Sequence, residues 1–250
     1  MPLQKTREQI EKMRVSGQII ARTLRACQES IVPGKTTPKE LNDLAERLIR
    51  EAGANPSFLG YRGYPATACI SVNDVVIHGI PNSIPLEEGD IVDLDFGVDK
   101  DGWFADGAWT YPVGKVSKEA ERLLSVTKEA LMQGIAKARV GNRVGDIAAT
   151  IQKYCERNGY GVVRELVGHG IGQGVHEEPN VPNFGKPGTG ERLREGMTIC
   201  IEPMINQGTA KVYTLEDKWT VKTLDGKLSA HFEHTVAITK DGPDILTQLR

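Results

Sequence analysis

Cysteine is scarce in this chain. There are four among 250 residues, Cys27, Cys69, Cys155 and Cys200, with no Cys-x-x-Cys pair. That excludes a zinc knuckle, a dithiol redox site and a disulfide framework, and leaves four small buried hydrophobes. Long apolar runs are missing too: nothing approaches the roughly 18 consecutive residues of a bilayer span. The start, Met1-Pro2-Leu3-Gln4-Lys5, lacks the apolar stretch of a secretory signal, so a cytoplasmic protein without a membrane partner is expected. Nor is there an excess of charge of one sign. Thirty-one basic side chains face 33 acidic ones, for a net charge of -2, which argues against binding DNA through bulk charge. No low-complexity tail or linker divides the chain, and its 39% hydrophobic residues can build one core without staples.

Several familiar catalytic motifs are absent. No Gly-x-Gly-x-x-Gly fingerprint is completed around Gly168 to Gly174, and there is no phosphate-binding loop and no Gly-x-Ser-x-Gly elbow. His176-Glu177-Glu178-Pro179 lacks the second histidine of a zincin helix, and its proline would break such a helix.

What is present is a mixture of helices and strands. Apolar spacing predicts helices over 8–29, from a Thr37-Pro38-Lys39-Glu40 start to about Gly53, over 117–138 and over 144–158. Strands are expected at 68–77, 90–98, 103–111, 198–201, 220–223 and 231–238, with a glycine- and proline-rich stretch from Gly168 to Gly196. The two halves also resemble each other. Glu88-Gly89 through Asp95 aligns with Glu195-Gly196 through Glu202 at an offset of 107, Gly34 aligns with Gly141 at the same offset, and His-Gly-Ile occurs at His78 and at His169. An internal duplication, over about 8–111 and 115–240, places an acid at the end of a strand and a histidine in each half.

Asp95 and Asp106 flank the turn-forming Asp99-Lys100-Asp101-Gly102. A symmetric loop centred between Lys100 and Asp101 would set the two acids directly opposite each other on one face of a hairpin, where like charges repel. A cation would turn that cost into binding. Two carboxylates on a wet face, a protonated acid or a bulge at Gly102 are the alternatives. Glu202 ends an apolar run and Glu233 sits inside a strand-like one, neither beside a lysine or arginine, so both need a partner. With His169 between glycines, the set holds four carboxylates and one imidazole. Such donors suit one or two divalent ions, Mn2+, Fe2+, Co2+ or Zn2+, and shared carboxylates can bridge a pair about 3.5 to 4 Å apart. Metal-assisted hydrolysis is the chemistry left.

These residues resemble the type I methionine aminopeptidases. The likeness runs over nearly the whole chain, on Gly60-Tyr61-Arg62-Gly63-Tyr64-Pro65, Cys69 to Asn73 leading to His78-Gly79-Ile80-Pro81, Asp93-Leu94-Asp95, Gly168-His169-Gly170-Ile171-Gly172, His176-Glu177-Glu178-Pro179, Ile201-Glu202-Pro203 and Leu228 to Thr235. The resemblance implies an α+β pita-bread fold, two pseudo-symmetric halves with a curved antiparallel sheet covered by helices. It implies that Asp95, Asp106, His169, Glu202 and Glu233 are the metal ligands and that His78 and His176 attend the substrate amide and the tetrahedral intermediate. Phe58, Tyr61, Tyr64 and Trp219 fall at the pocket for the methionine side chain. On the residues alone, the two tyrosines would read as core aromatics and Trp219 as an ordinary strand residue. Phe58 stands at a variable lining position, and Val175 stands where some members carry phenylalanine.

The implied activity is removal of the initiator methionine from nascent polypeptides when the second residue is small. A metal-activated bridging water would attack the first peptide carbonyl, with Glu202 as general base and His176 as donor to the oxyanion. The Met1-Pro2 start would make the chain a candidate for its own trimming. A monomer that touches nascent chains, with transient ribosome contact as the further partner, fits this reading. A proline-specific peptidase of the same fold would carry an extra N-terminal domain, for which the sixty or so residues before Tyr61 are too few. A catalytically dead adaptor would have lost ligands, and all five positions are filled.

Overall fold

The computed structural model describes residues 4–249; the start Met1-Pro2 lies outside the described residues. Four helices form where the sequence signals them. α1 (Arg7–Glu29) opens on a reciprocal cap in which the Thr6 side chain accepts from Gln9 N–H and the Gln9 side chain accepts from Thr6 N–H. α2 (Pro38–Glu51) opens the same way with Thr37 and Glu40, and Pro38 occupies its first turn, where no N–H is needed. α3 (Lys118–Lys137) is capped by Ser117, and α4 (Val144–Arg157) starts where Asp146 accepts from Arg143 N–H.

Among the described residues every strand pairing is antiparallel. In one sheet Ile91–Lys100 pairs with Trp103–Pro112 along one edge and with Ala68–Val72 and Asn55–Pro56 along the other. A five-stranded sheet runs Gly242–Ile245, His234–Thr239, Thr198–Ile201, Gly168–Gly170, Glu177–Val181. Two three-stranded sheets complete the framework, one of Ser229–His231, Met204–Asn206 and Gly161–Val162, the other of Val212–Thr214, Val221–Thr223 and Val75–Ile77.

The helices bury their apolar faces on these sheets in two main cores. Ile19, Ile20 and Leu24 of α1 and Leu41 and Ile49 of α2 pack with Leu94, Phe96 and Val98. Leu123 and Leu131 of α3 and Ile147 and Ile151 of α4 pack with Ile199, Ile201, Val236 and Ile238. All four cysteines are buried and free, as the sequence suggested. α1 also lies so close to the segment that follows the strand Gly242–Ile245 that a Cβ on Gly17 would collide with the Leu246 carbonyl.

Three strand expectations need correction. The hairpin turns at Asp101-Gly102, not between Lys100 and Asp101: Lys100 pairs with Trp103, so Asp95 faces Ala108 and Asp106 faces Gly97. The cause is local. Asp101 and Gly102 both take positive φ, 55° and 77°, as the tightest two-residue hairpin turn requires. The two acids therefore share a face as diagonal neighbours rather than as a directly opposed pair. The expected strand 68–77 is broken at Asn73, which adopts φ 55°, and 231–238 is broken at Phe232-Glu233.

Candidate metal centre

The hairpin face that carries Asp95 and Asp106 also carries Asp93, opposite Thr110. All three acids are buried. Gly97 and Ala108, the residues facing the two expected ligands, are small, and a Cβ on Gly97 would collide with Phe58, which lines the same cavity. Glu202 follows the strand Thr198–Ile201, and Glu233 occupies the break between Ser229–His231 and His234–Thr239. The break has a use: Glu233 N–H bonds to the Ala108 carbonyl, tying this segment to the hairpin. His169 is wedged between neighbouring strands by its flanking glycines. A Cβ on Gly168 would strike the Cys200 carbonyl and one on Gly170 the Glu178 carbonyl.

These five groups line one cavity of about 300 Å³. The ligand atoms of Asp106, His169 and Glu233, together with Cys200 Sγ, lie within 4.8 Å of one another. His169 Nε2 is 3.8 Å from Asp106 Oδ2 and 3.6 Å from Glu202 Oε1. Its Nδ1 is 2.9 Å from the Gly170 carbonyl, which can only accept, so Nδ1 carries the proton. Burial, reinforced by His176, holds the imidazole down at about 3, so it is neutral. A neutral His169 with a protonated Nδ1 turns the lone pair of Nε2 toward two acid oxygens.

Burial also raises the acids. Asp106, Glu202 and Glu233 are pushed well above the carboxylate range, first by desolvation and then by neighbouring acids, Asp95 among them in each case, and Asp95 is raised to about 7, chiefly by desolvation. Asp95 Oδ1, Asp106 Oδ1 and Glu233 Oε1 are buried without a hydrogen-bond partner. Among the described residues no lysine or arginine forms an ion pair with any of the four acids. Acceptors facing acceptors, with orphaned oxygens and no lysine or arginine among them, fit a divalent ion. Cys200 is not the source of that fit: burial keeps its thiol protonated, and it rests 3.6 Å from the Thr235 hydroxyl.

The cavity walls contain the other expected residues. His176 Nδ1 and the Tyr61 hydroxyl share a hydrogen bond of 3.0 Å, with the rings stacked, and the His176 ring lies 4.2 Å from that of His169. Burial, then nearby Arg62, lowers the His176 pKa. His78 is held at φ 59°, an uncommon conformation for a residue with a Cβ, and burial lowers it to about 4. Trp219 meets His78 and Tyr64 edge-on, and the Tyr64 hydroxyl is held by the Ala68 and Gly79 carbonyls, leaving its ring to the cavity. Phe58, Tyr64, Cys69 and Val175 pack as one apolar cluster, with Tyr61 and Trp219 against it.

Sequence reasoning missed Asp93 and His231. His231 Nδ1 is 3.2 Å from Asp93 Oδ2, and its Nε2, otherwise unpartnered, is 3.8 Å from Glu202 Oε2. Burial alone would depress this histidine, but Asp93, Asp95 and Glu233 outweigh it and lift it to about 9. A signal was available for Asp93, which stands two residues before an expected ligand and hence on the same strand face; His231 also stands two residues before one, but the strand breaks between them. Thr235 was missed as well. Its hydroxyl accepts from Asp106 N–H and donates to the Asp106 carbonyl, fixing the backbone of that acid.

The model of metallopeptidase family M24 matches residues 11–240. The chain belongs to metallopeptidase family M24. This M24 metallopeptidase is 52% identical over 250 residues to the methionine aminopeptidase of Clostridium perfringens, with both chains covered completely. The crystal structure of methionine aminopeptidase from Rickettsia prowazekii superposes with a TM-score of 0.97 at 44% identity, covering 99% of this chain and 100% of that one. The pita-bread fold is therefore established for it. Prolidase from Pyrococcus furiosus aligns with a TM-score of 0.81 at 24% identity, this chain spanning 66% of its length, a likeness of fold alone.

Proposed function

We propose that the protein is a methionine aminopeptidase whose ligands for one or two divalent ions are Asp95, Asp106, His169, Glu202 and Glu233. The observation that carries the proposal is the convergence of four buried acids and a neutral imidazole on one cavity, unneutralised by lysine or arginine and walled by aromatic rings. A bound divalent ion supplies Lewis-acid polarisation of the scissile carbonyl and lowers the pKa of water.

The chain's own residues do the rest. Glu202 takes a proton from the attacking water and returns it to the leaving amine, a role open to a carboxylate that lines the cavity. The Tyr61 hydroxyl donates to His176 Nδ1, which leaves Nε2–H to donate to the developing oxyanion. His78 holds the substrate amide. Phe58, Tyr61, Tyr64 and Trp219 enclose the methionine side chain, whose thioether favours aromatic contacts. Crowding beside the acids favours small second residues.

The substrate places the enzyme in the cytoplasm, acting as a monomer on nascent N-termini, with transient ribosome contact as its further partner. The same reading keeps the internal duplication, since Asp95 and Glu202, 107 residues apart, enter one cavity from the two halves. The test is turnover of Met-Ala-Ser, Met-Leu-Ser and Ala-Pro after chelation, with Mn2+, Fe2+, Co2+ or Zn2+ restored singly. Chelation should abolish cleavage, and an added ion should restore it on Met-Ala-Ser about tenfold or more above Met-Leu-Ser. Cleavage of Ala-Pro instead, or activity that survives chelation, would overturn the proposal.

A further inference from the structure

We propose that Lys5 is a positioning residue for the reaction, holding His176 in the cavity wall through Glu177 and the loop between Gly172 and Glu177. The inference rests on the role given to His176 above. Lys5 lies 171 residues before His176 in the chain, yet its side chain is 95% buried, only 5% of it exposed. Burying an ammonium group is unfavourable unless it is paired. Its partner is Glu177 Oε2, at 2.7 Å.

The segment around Lys5 is pinned at both main chain and side chain. Lys5 N–H donates to the Gly196 carbonyl at 2.7 Å, and the Gln4 side chain donates to the Glu195 carbonyl. The Lys5 stem lies flat on Gly172, where a Cβ would collide with its Cε. Glu177 then works in two directions. One oxygen meets Lys5, and the other accepts from Gln173 N–H at 2.8 Å and Gly174 N–H at 3.1 Å. Those bonds close the loop into a clasp. Val175 and His176 leave the clasp toward the cavity, Val175 into the apolar cluster and His176 onto Tyr61.

Without the ammonium group, Glu177 holds a part-buried carboxylate with no cation. The favourable response is to turn to water, which releases the Gln173 and Gly174 amides and the fixed approach of His176. Lys5 touches none of the five acid and imidazole ligands, so metal binding should not change.

The experiment uses the full chain loaded with Mn2+. Lys5→Met should lower kcat on Met-Ala-Ser about ten- to a hundredfold, less than the 10² to 10³ for losing an oxyanion donor outright. KM and the Mn2+ dissociation constant should stay within about twofold. In metal-free protein, hydrogen exchange at the Gln173 and Gly174 amides should quicken about tenfold. Lys5→Gln, which keeps a donor, should fall between wild type and Lys5→Met and carries the test if the latter does not fold.

Non-additivity is the decisive reading. In a His176→Ala background, Lys5→Met should not lower kcat further. A Lys5→Met enzyme with unchanged kcat and a lower melting temperature would overturn the proposal, as would an equal loss in both backgrounds. If His176→Ala itself retains wild-type kcat, the role of His176 fails, and amide exchange still reports separately whether Lys5 holds the loop.

Discussion

Replacing Tyr61 with phenylalanine isolates a single hydrogen bond in the proposed mechanism. The ring remains to face the methionine side chain and to stack on His176, while the hydroxyl 3.0 Å from Nδ1 is removed. In the proposed mechanism that hydroxyl donates to Nδ1 and so favours the tautomer with the proton on Nε2. Without it, the tautomer with Nε2–H loses one hydrogen bond, worth about 0.5–1.5 kcal/mol net. At 1.36 kcal/mol per decade, kcat for Tyr61→Phe should fall about two- to twelvefold. KM should change little, because the apolar wall is intact. His176→Ala removes the donor itself and should cost about 10² to 10³. Steady-state release of methionine from Met-Ala-Ser measures both. A Tyr61→Phe enzyme with normal kcat and a raised KM would confine Tyr61 to substrate binding and refute the tautomer argument, and a near-normal His176→Ala would refute the oxyanion role.

Other consequences are more local. Gly17→Ala forces a methyl group against the Leu246 carbonyl and should destabilise by about 1–3 kcal/mol, read as a lower melting temperature with unchanged turnover of the loaded enzyme. Asp95 binds its proton more tightly folded than unfolded, its pKa rising from 3.8 to about 7. Between about pH 4 and 7 the folded metal-free protein therefore holds a proton that the unfolded chain has lost, and stability falls as pH rises through that window. Asp95→Asn removes the share of this dependence that Asp95 contributes and leaves that of Asp106, Glu202 and Glu233. Denaturant titrations should show it gaining on the wild type by up to about 1.4 kcal/mol per pH unit from pH 4 to 7, and a flat difference would contradict the burial argument. Burial raises the Cys27 and Cys155 thiols to about 12 and those of Cys69 and Cys200 well above their ordinary value. A thiol reagent at pH 8 should modify none of them until the protein unfolds.

The parts of this structure legible in the sequence are those governed by neighbours in the chain. α2 begins at the Thr37 cap that the sequence signals, and apolar spacing places the start of α1 to within a residue. The hairpin was legible too, but its register was not, because choosing between Lys100-Asp101 and Asp101-Gly102 requires knowing which pair takes positive φ. Strands of two to five residues, such as Gly161–Val162 and Glu177–Val181, are too short or too rich in glycine and proline to alternate visibly. They exist because long-range partners pair them. The five expected ligands do line one cavity, yet their convergence was inferred through a resemblance and a repeat, not through local pattern. Asp93 and His231 escaped because their pairing spans 138 residues, and Lys5 because nothing local distinguishes a buried lysine from a solvated one.

The most direct test of the central claim is isothermal titration of the metal-free protein with Mn2+, alongside Asp106→Asn and Glu233→Gln. The account predicts saturable binding of one or two ions per chain, proton release near neutral pH because raised carboxyls must ionise, and affinity reduced about tenfold or more in each variant. Binding unaffected by either substitution, or no binding at all, would contradict it.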